Sequence, residues 1–178
     1  RLRYFKRPSA FENARWEGGR VLMYWNRTGM VGRRFLDEFC TKLQVDRLLY
    51  RGQLDPGIPN QSAYNLPKRL GRAIVKELPP FMPAAEYQRV LGEVNMFIAP
   101  RLYEGVGLTF LEALAQGCAV FGFDAPTMNE YITSGEDGFL LPSFMPSVKN
   151  KIRKLFQRGN TFALRNLLRL GMGTGSRF

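Results

Sequence analysis

Residues 95–123, NMFIAPRLYEGVGLTFLEALAQGCAVFGF, decide the fold. NMFIAP is short and almost purely apolar, as a strand buried on both faces must be. Residues 108–116 follow as a helix with Gly117 as its cap, and CAVFGF is the next strand. A strand, a crossover helix and a second strand of this kind pair in parallel, with helices covering the sheet.

The same alternation extends outward. Upstream, VLMYW at residues 21–25 is a strand, and apolar residues at 31, 35, 36, 39, 40 and 43 give the helix after it its buried face. RLLYRG is a second strand, and QLDPGIPNQSAYNLP is a loop dense in turn residues. Residues 73–78 predict a third strand ending at two prolines, and residues 84–91 a short helix with Glu86 in its first turn. Downstream, residues 127–133 predict a helix, GFLLP the last strand, and residues 149–157 and 163–170 two further helices. The fold class expected is α/β, a doubly wound parallel sheet of the Rossmann-like kind. Ligands of such sheets bind at the carboxyl ends of the strands, here the loops after Trp25, Leu78, Pro100 and Phe123.

Composition narrows the chemistry. Of 178 residues, 45% are hydrophobic and 23% charged, the balance of a chain that buries a core. The most apolar stretch, residues 94–123, is interrupted by Arg101, Glu104 and Glu112, so it falls short of the roughly 18 apolar residues that a spanning helix needs. Histidine is absent, which excludes serine–histidine or cysteine–histidine nucleophiles and histidine-ligated metals. Cys40 and Cys118 sit in apolar patterns and read as reduced core thiols, which suits a cytoplasmic location. The N-terminal RLRYFKRPSAFENARWEGG has no signal-peptide pattern and no initiating Met, and reads as cut from something longer.

The formal charge of +11 is polarised. Residues 1–34 carry nine Lys and Arg against two Glu, residues 143–178 carry eight against no acid, and the middle is net −4. A nucleic-acid surface is more often built into the folded core with aromatics beside it, so nucleic acid is disfavoured as a partner. Peripheral contact with an anionic membrane at the inner face is an equal alternative, and plain solvation carries half the weight.

Within RLYEGVGLTFLEALAQG, Gly105 and Gly107 let the backbone approach a ligand closely, and a helix starting near Gly107 aims its amides and the positive end of its dipole at the crevice. A diphosphate suits that position. Glu112 lies on an otherwise apolar helix expected to be largely buried, so its carboxylate requires ligand hydroxyls, a neighbouring arginine or loop amides. Glu104 occupies the loop mouth, where it would face the neutral sugar part of a ligand or belong to an ordinary surface loop. Asp124, Asn129 and Glu130 line the next crevice loop and either touch a ligand or cap the helix that starts there. GMGTG near the end imitates a dinucleotide loop but opens no helix, and reads as a linker.

Glu104 and Glu112, with seven residues between them and followed by Ala113 and Gly117, resemble the EX7E signature of group 1 (family 4) glycosyltransferases in the C-terminal half of the GT-B fold. AEYQRVLGEVNMFIAPRLYEG before it and CAVFGFDAPTMNEYITSGEDGFLLP after it resemble the family's neighbouring segments, closely over residues 84–142 and loosely over residues 20–83. The resemblance implies a retaining transferase that binds a UDP- or GDP-linked sugar donor. Glu104 would face the sugar and Glu112 the ribose. Gly105, Val106, Gly107, Leu108 and Thr109 would contact diphosphate and sugar, and residues 78–81, Phe81 included, would hold the base. Arg27 and Arg33 would neutralise the departing diphosphate, with Arg34 as rival to Arg33. Asn26-Arg27 and Arg33 stand where the family has Gly-Arg and Lys, a departure that weakens this assignment. No metal or cofactor is implied.

On this reading residues 1–19 are an interdomain basic segment, residues 20–160 the nucleotide-sugar-binding domain, and residues 161–178 a helix and tail. A saccharide or lipid-linked acceptor would sit on an N-terminal domain outside the chain, leaving the fragment without turnover. Two rivals remain open: a basic module for nucleic acid or membrane, and a GT-B relative that binds a nucleotide sugar without transferring it.

Overall fold

The computed structural model describes residues 19–26, 31–52, 65–99, 107–135 and 138–142. Seven strands form one sheet: β1 (Val21–Asn26), β2 (Arg47–Gly52), β3 (Arg69–Leu70), β4 (Ala73–Glu77), β5 (Met96–Ile98), β6 (Ala119–Asp124) and β7 (Gly138–Pro142). Among the described residues four helices accompany them: α1 (Arg33–Lys42), α2 (Ala84–Gly92), α3 (Leu108–Ala115) and α4 (Met128–Tyr131). The order across the sheet is β3-β4-β2-β1-β5-β6-β7. All pairs are parallel except β3–β4, which is antiparallel. This is the Rossmann-like doubly wound α/β arrangement expected from the sequence, with the strand order reversing between β1 and β5.

β3 is an addition, lying between the loop that ends at Pro67 and the strand expected from residue 73, where a two-residue strand has no periodicity to read. Gly71 makes the turn at φ 55°, and its amide donates to an Asp37 carboxylate oxygen of α1 at 3.0 Å. The hairpin therefore docks on a helix at the sheet's edge.

The central strands β1, β5 and β6 are buried on both faces, whereas β4 near the sheet's edge is largely exposed. From α1, Phe39 meets Phe121 of β6 edge-on at 4.8 Å between ring centroids, and Phe121 stacks on Phe139 of β7 at 5.4 Å. These three rings are fully buried and link a helix to two strands. Buried aromatic side chains of this size dominate core stability. Cys40 and Cys118 are buried and unbridged, as expected.

Asn95 is buried, yet its side chain is satisfied at both ends. It accepts from the Val21 amide at 2.9 Å and donates to the Gly19 carbonyl at 2.7 Å, tying the starts of β1 and β5 together. A side chain that pairs with both strand and entry segment fixes the register at the sheet centre. Among the described residues no helix is long and apolar enough to cross a membrane.

Candidate active site at the carboxyl edge of the sheet

β1 ends at Asn26, β2 at Gly52, β4 at Glu77 and β5 at Ile98, with Asn26 level with Gly52 and Tyr50 level with Glu77. Their carboxyl ends form one edge, and the reversal between β1 and β5 opens a crevice there. α1, α2 and α3 all begin on this side.

α3 starts from Gly107, which adopts φ 64°, ψ 43° with no capping side chain. Only glycine takes this left-handed conformation at no steric cost. A Cβ at Gly107 would lie 2.0 Å from a ring carbon of Phe110. The first-turn amides and the positive end of the helix dipole consequently point toward the crevice. Leu108 is half exposed and Thr109 partly buried at this end.

Glu112 projects from the next turn of α3. It is partly buried, on a helix of which Leu108 is the one exposed residue, in keeping with the expectation of a largely buried helix. Phe110, Leu111 and Ala113 pack inward, whereas Leu108, Thr109 and Glu112 keep solvent access because the helix borders the crevice. The carboxylate lies beside Tyr87 of α2. Burial, reinforced by the Glu112 charge, holds the Tyr87 phenol well above the usual tyrosine range, so it stays protonated. The hydroxyl is buried and closes no hydrogen bond of ordinary geometry.

Three side chains that the sequence reading did not single out complete this wall. Tyr87 meets Trp25 of β1 edge-on, and the Arg51 guanidinium of β2 lies 4.0 Å from the centre of the Trp25 ring. Arg51 also donates to the Pro80 carbonyl, from Nε at 2.9 Å and from Nη2. The available signal was a cation, Arg51, inside an otherwise apolar strand, together with Trp25 at a strand end. A charge in such a place must be paired.

A second network underlies the loop after β1. Tyr24 donates from its hydroxyl to Asn26 Oδ1 at 3.0 Å and accepts from the Val31 amide at 3.2 Å. Asn26 Nδ2 donates to the Tyr50 hydroxyl at 3.2 Å. Asn26 is thus buried and bonded, and the Tyr24 hydroxyl links it to Val31 on the far side of residues 27–30. Arg33 opens α1 directly beyond, exposed at the crevice side. Arg34 points along its own helix to Glu38 at 3.5 Å, which leaves Arg33 the better placed of the two for a ligand.

Phe81 is 77% exposed on the segment between β4 and α2, while Leu78 beside it is buried. Asn129 of α4 donates to Asp124 at the end of β6 at 3.1 Å, which ties the helix to the strand before it. Thr127 before α4 adopts φ 78°, ψ −58°, a rare conformation for a β-branched residue. Arg27, Glu104, Gly105 and Val106 lie outside the described residues, as do residues 1–18, the expected helices at 149–157 and 163–170, the GMGTG run and the boundary at residue 160.

An open Rossmann-like sheet, a glycine-started helix aimed into its switch-point crevice and a carboxylate on that helix define a nucleotide-binding class of α/β domain. The model of the family described as glycosyl transferases group 1 matches residues 72–166, more than half of the chain, and the chain belongs to that family. The UDP-N-acetylglucosamine–peptide N-acetylglucosaminyltransferase GtfA subunit of Streptococcus pneumoniae is 32% identical over 73 residues, and that of Streptococcus gordonii 30%. The match spans 40% of this chain but 14% of either relative.

Among solved structures, the C-terminal domain of the group 1 glycosyl transferase LpcC from Francisella tularensis aligns with a TM-score of 0.58 at 16% identity, covering 93% of this chain and 91% of that one. The pneumococcal O-GlcNAc transferase GtfA, solved with UDP and GlcNAc, aligns with a TM-score of 0.60 at 17% identity over 93% of this chain and 34% of its own. At such identities the likeness speaks to fold alone, and the fold is that of the C-terminal half of a GT-B glycosyltransferase.

Proposed function

We propose that this chain is the donor-binding half of a retaining glycosyltransferase that takes a nucleotide-diphospho-sugar and passes its hexosyl unit to an acceptor held outside the chain. The observation that carries the reading is Glu112 on α3, one turn beyond the uncapped amides at Gly107, at the sheet's switch point. The amides suit the diphosphate, and the carboxylate suits ribose hydroxyls. Arg33, with Arg27, would stabilise negative charge as the diphosphate departs, and Glu104 would face the sugar. Preference for a UDP-linked donor draws support from the names of the GtfA relatives. A saccharide or lipid-linked acceptor and a cytoplasmic setting belong to the same reading.

Titration calorimetry with UDP, GDP and ADP tests it. We expect UDP to bind and Glu112→Ala to weaken it by roughly tenfold to a hundredfold, the effect of losing a charge-assisted hydrogen bond. A folded protein that binds none of the three refutes the site. Affinity for nucleic acid or anionic vesicles that survives Glu112→Ala and collapses with salt would favour a basic surface module instead.

A further inference from the structure

We infer that Arg51 is a positioning residue that sets base selectivity by gripping the segment between β4 and α2 from beneath, an inference that rests on the donor-binding reading above. That segment, Leu78 to Pro83, contains Pro79, Pro80 and Pro83. Prolines have no amide donor, so half of the segment's residues cannot donate from the backbone as those of an ordinary turn do. It is anchored at one end by the Leu78 amide, which donates to the Tyr50 carbonyl at 2.7 Å, and at the other by the Pro83 carbonyl, which accepts from the Tyr87 amide at 2.9 Å. Between those anchors the Pro80 carbonyl takes two donors of one guanidinium, Arg51 Nε and Nη2.

Arg51 is only 6% exposed, so it acts from below the segment rather than on a ligand above it. Its plane is fixed by the Trp25 ring 4.0 Å away, and Trp25 in turn packs against Tyr87, the neighbour of Glu112. One rigid chain of contacts therefore runs from Pro80 through Arg51, Trp25 and Tyr87 to the carboxylate. It fixes how far the exposed Phe81 ring stands from Glu112, and that separation is what a base attached to a ribose must match. Lysine keeps the charge but cannot reproduce two parallel donors on a planar group stacked on an indole.

The test is titration of the 178-residue chain and its Arg51→Lys variant with UDP, GDP, ADP and inorganic pyrophosphate, with thermal melts of both. We expect Arg51→Lys to fold, to lose about tenfold in affinity for the preferred nucleoside diphosphate, and to compress the preference among bases to within about threefold, the scale of one hydrogen bond to a charged group. Pyrophosphate, which has no base, should bind both proteins within about twofold. A folded variant that keeps the wild-type base preference overturns the inference, as does an equal loss for pyrophosphate. Failure of Arg51→Lys to fold overturns it too, because Arg51 would then hold the fold rather than the segment. Wild-type protein that binds no nucleoside diphosphate more tightly than pyrophosphate sinks the donor-binding reading and this inference with it.

Discussion

The Tyr87 ring stands edge-on to Trp25, with centroids 6.4 Å apart and planes at 60°, and this contact joins α2 to the end of β1 beside the candidate site. Edge-to-face geometry sets the positive rim of one ring against the negative face of the other. The Tyr87 hydroxyl is buried next to the Glu112 carboxylate, which it meets without a hydrogen bond of ordinary geometry. We expect Tyr87→Phe to change stability by less than about 1 kcal/mol, since the ring contact stays and no bond of ordinary geometry is lost. UDP affinity should fall a few-fold, because the hydroxyl is placed to meet Glu112 once a ribose draws the carboxylate into position. Urea melts and titrations of the two proteins check this, and a stability loss beyond about 2 kcal/mol would mean that the hydroxyl is bonded after all.

Gly107 offers a cleaner backbone test. Its φ of 64° is costly for any other residue, and a Cβ there would strike the Phe110 ring. Gly107→Ala should destabilise the domain by about 1–3 kcal/mol, the range for a strained backbone plus a core side chain that must shift. Denaturant melts provide the measurement. Pairing the change with Phe110→Leu should recover part of the loss, and a wild-type midpoint in the single variant would refute the account.

The sheet was legible because its physics is local. Residues 95–123 alternate between buried strand and amphipathic helix, and β5, α3 and β6 fall where that pattern puts them. β3 escaped because two residues carry no period and its pairing is set by the Gly71 turn and Asp37 far along the chain. The candidate site divides in the same way. Glu112 announced itself as a carboxylate on an apolar helix, but its true surroundings, Tyr87, Trp25 and Arg51, come from three elements whose juxtaposition only the strand order creates. Periodicity reports which face of α3 is apolar and is silent on which end borders a crevice, so the exposure of Leu108 was not legible.

Tyr24 tests how the loop after β1 is held. Its hydroxyl serves Asn26 Oδ1 and the Val31 amide together, in a buried network that also reaches Tyr50. Removing the shared hydroxyl deprives both partners at once. Tyr24→Phe should therefore cost about 1–3 kcal/mol, more than the deletion of the Tyr87 hydroxyl, although both variants remove the same atom. Parallel melts of the two variants make the comparison, and equal effects would contradict the networks described here.

Cys40 gives the chain a predicted weakness in alkali. Its thiol lies in the core against α1's neighbours, and burial, aided by the charge of Asp37, pushes its pKa up to about 12 from 9.0. Below pH 9 folded and unfolded chains both keep the proton. Above it the unfolded chain releases the proton while the folded chain retains it, so folding stability must fall as pH rises through the window from about 9 to about 12, by at most about 1.4 kcal/mol per pH unit. Tyr87, also raised, adds the same sign only above about pH 10, where free tyrosine begins to ionise. The interval between pH 9 and pH 10 therefore precedes the tyrosine contribution, and comparison with Cys40→Ala separates the Cys40 proton from that of the other buried thiol, Cys118. Cys40→Ala should lower stability by about 1 kcal/mol at pH 7 through the small cavity it leaves, yet lose less between pH 9 and pH 10 than the parent does. Urea melts of both proteins at pH 8, 9 and 10 measure the slopes, and curves that run parallel through that interval would show that the Cys40 proton has no part in holding the fold.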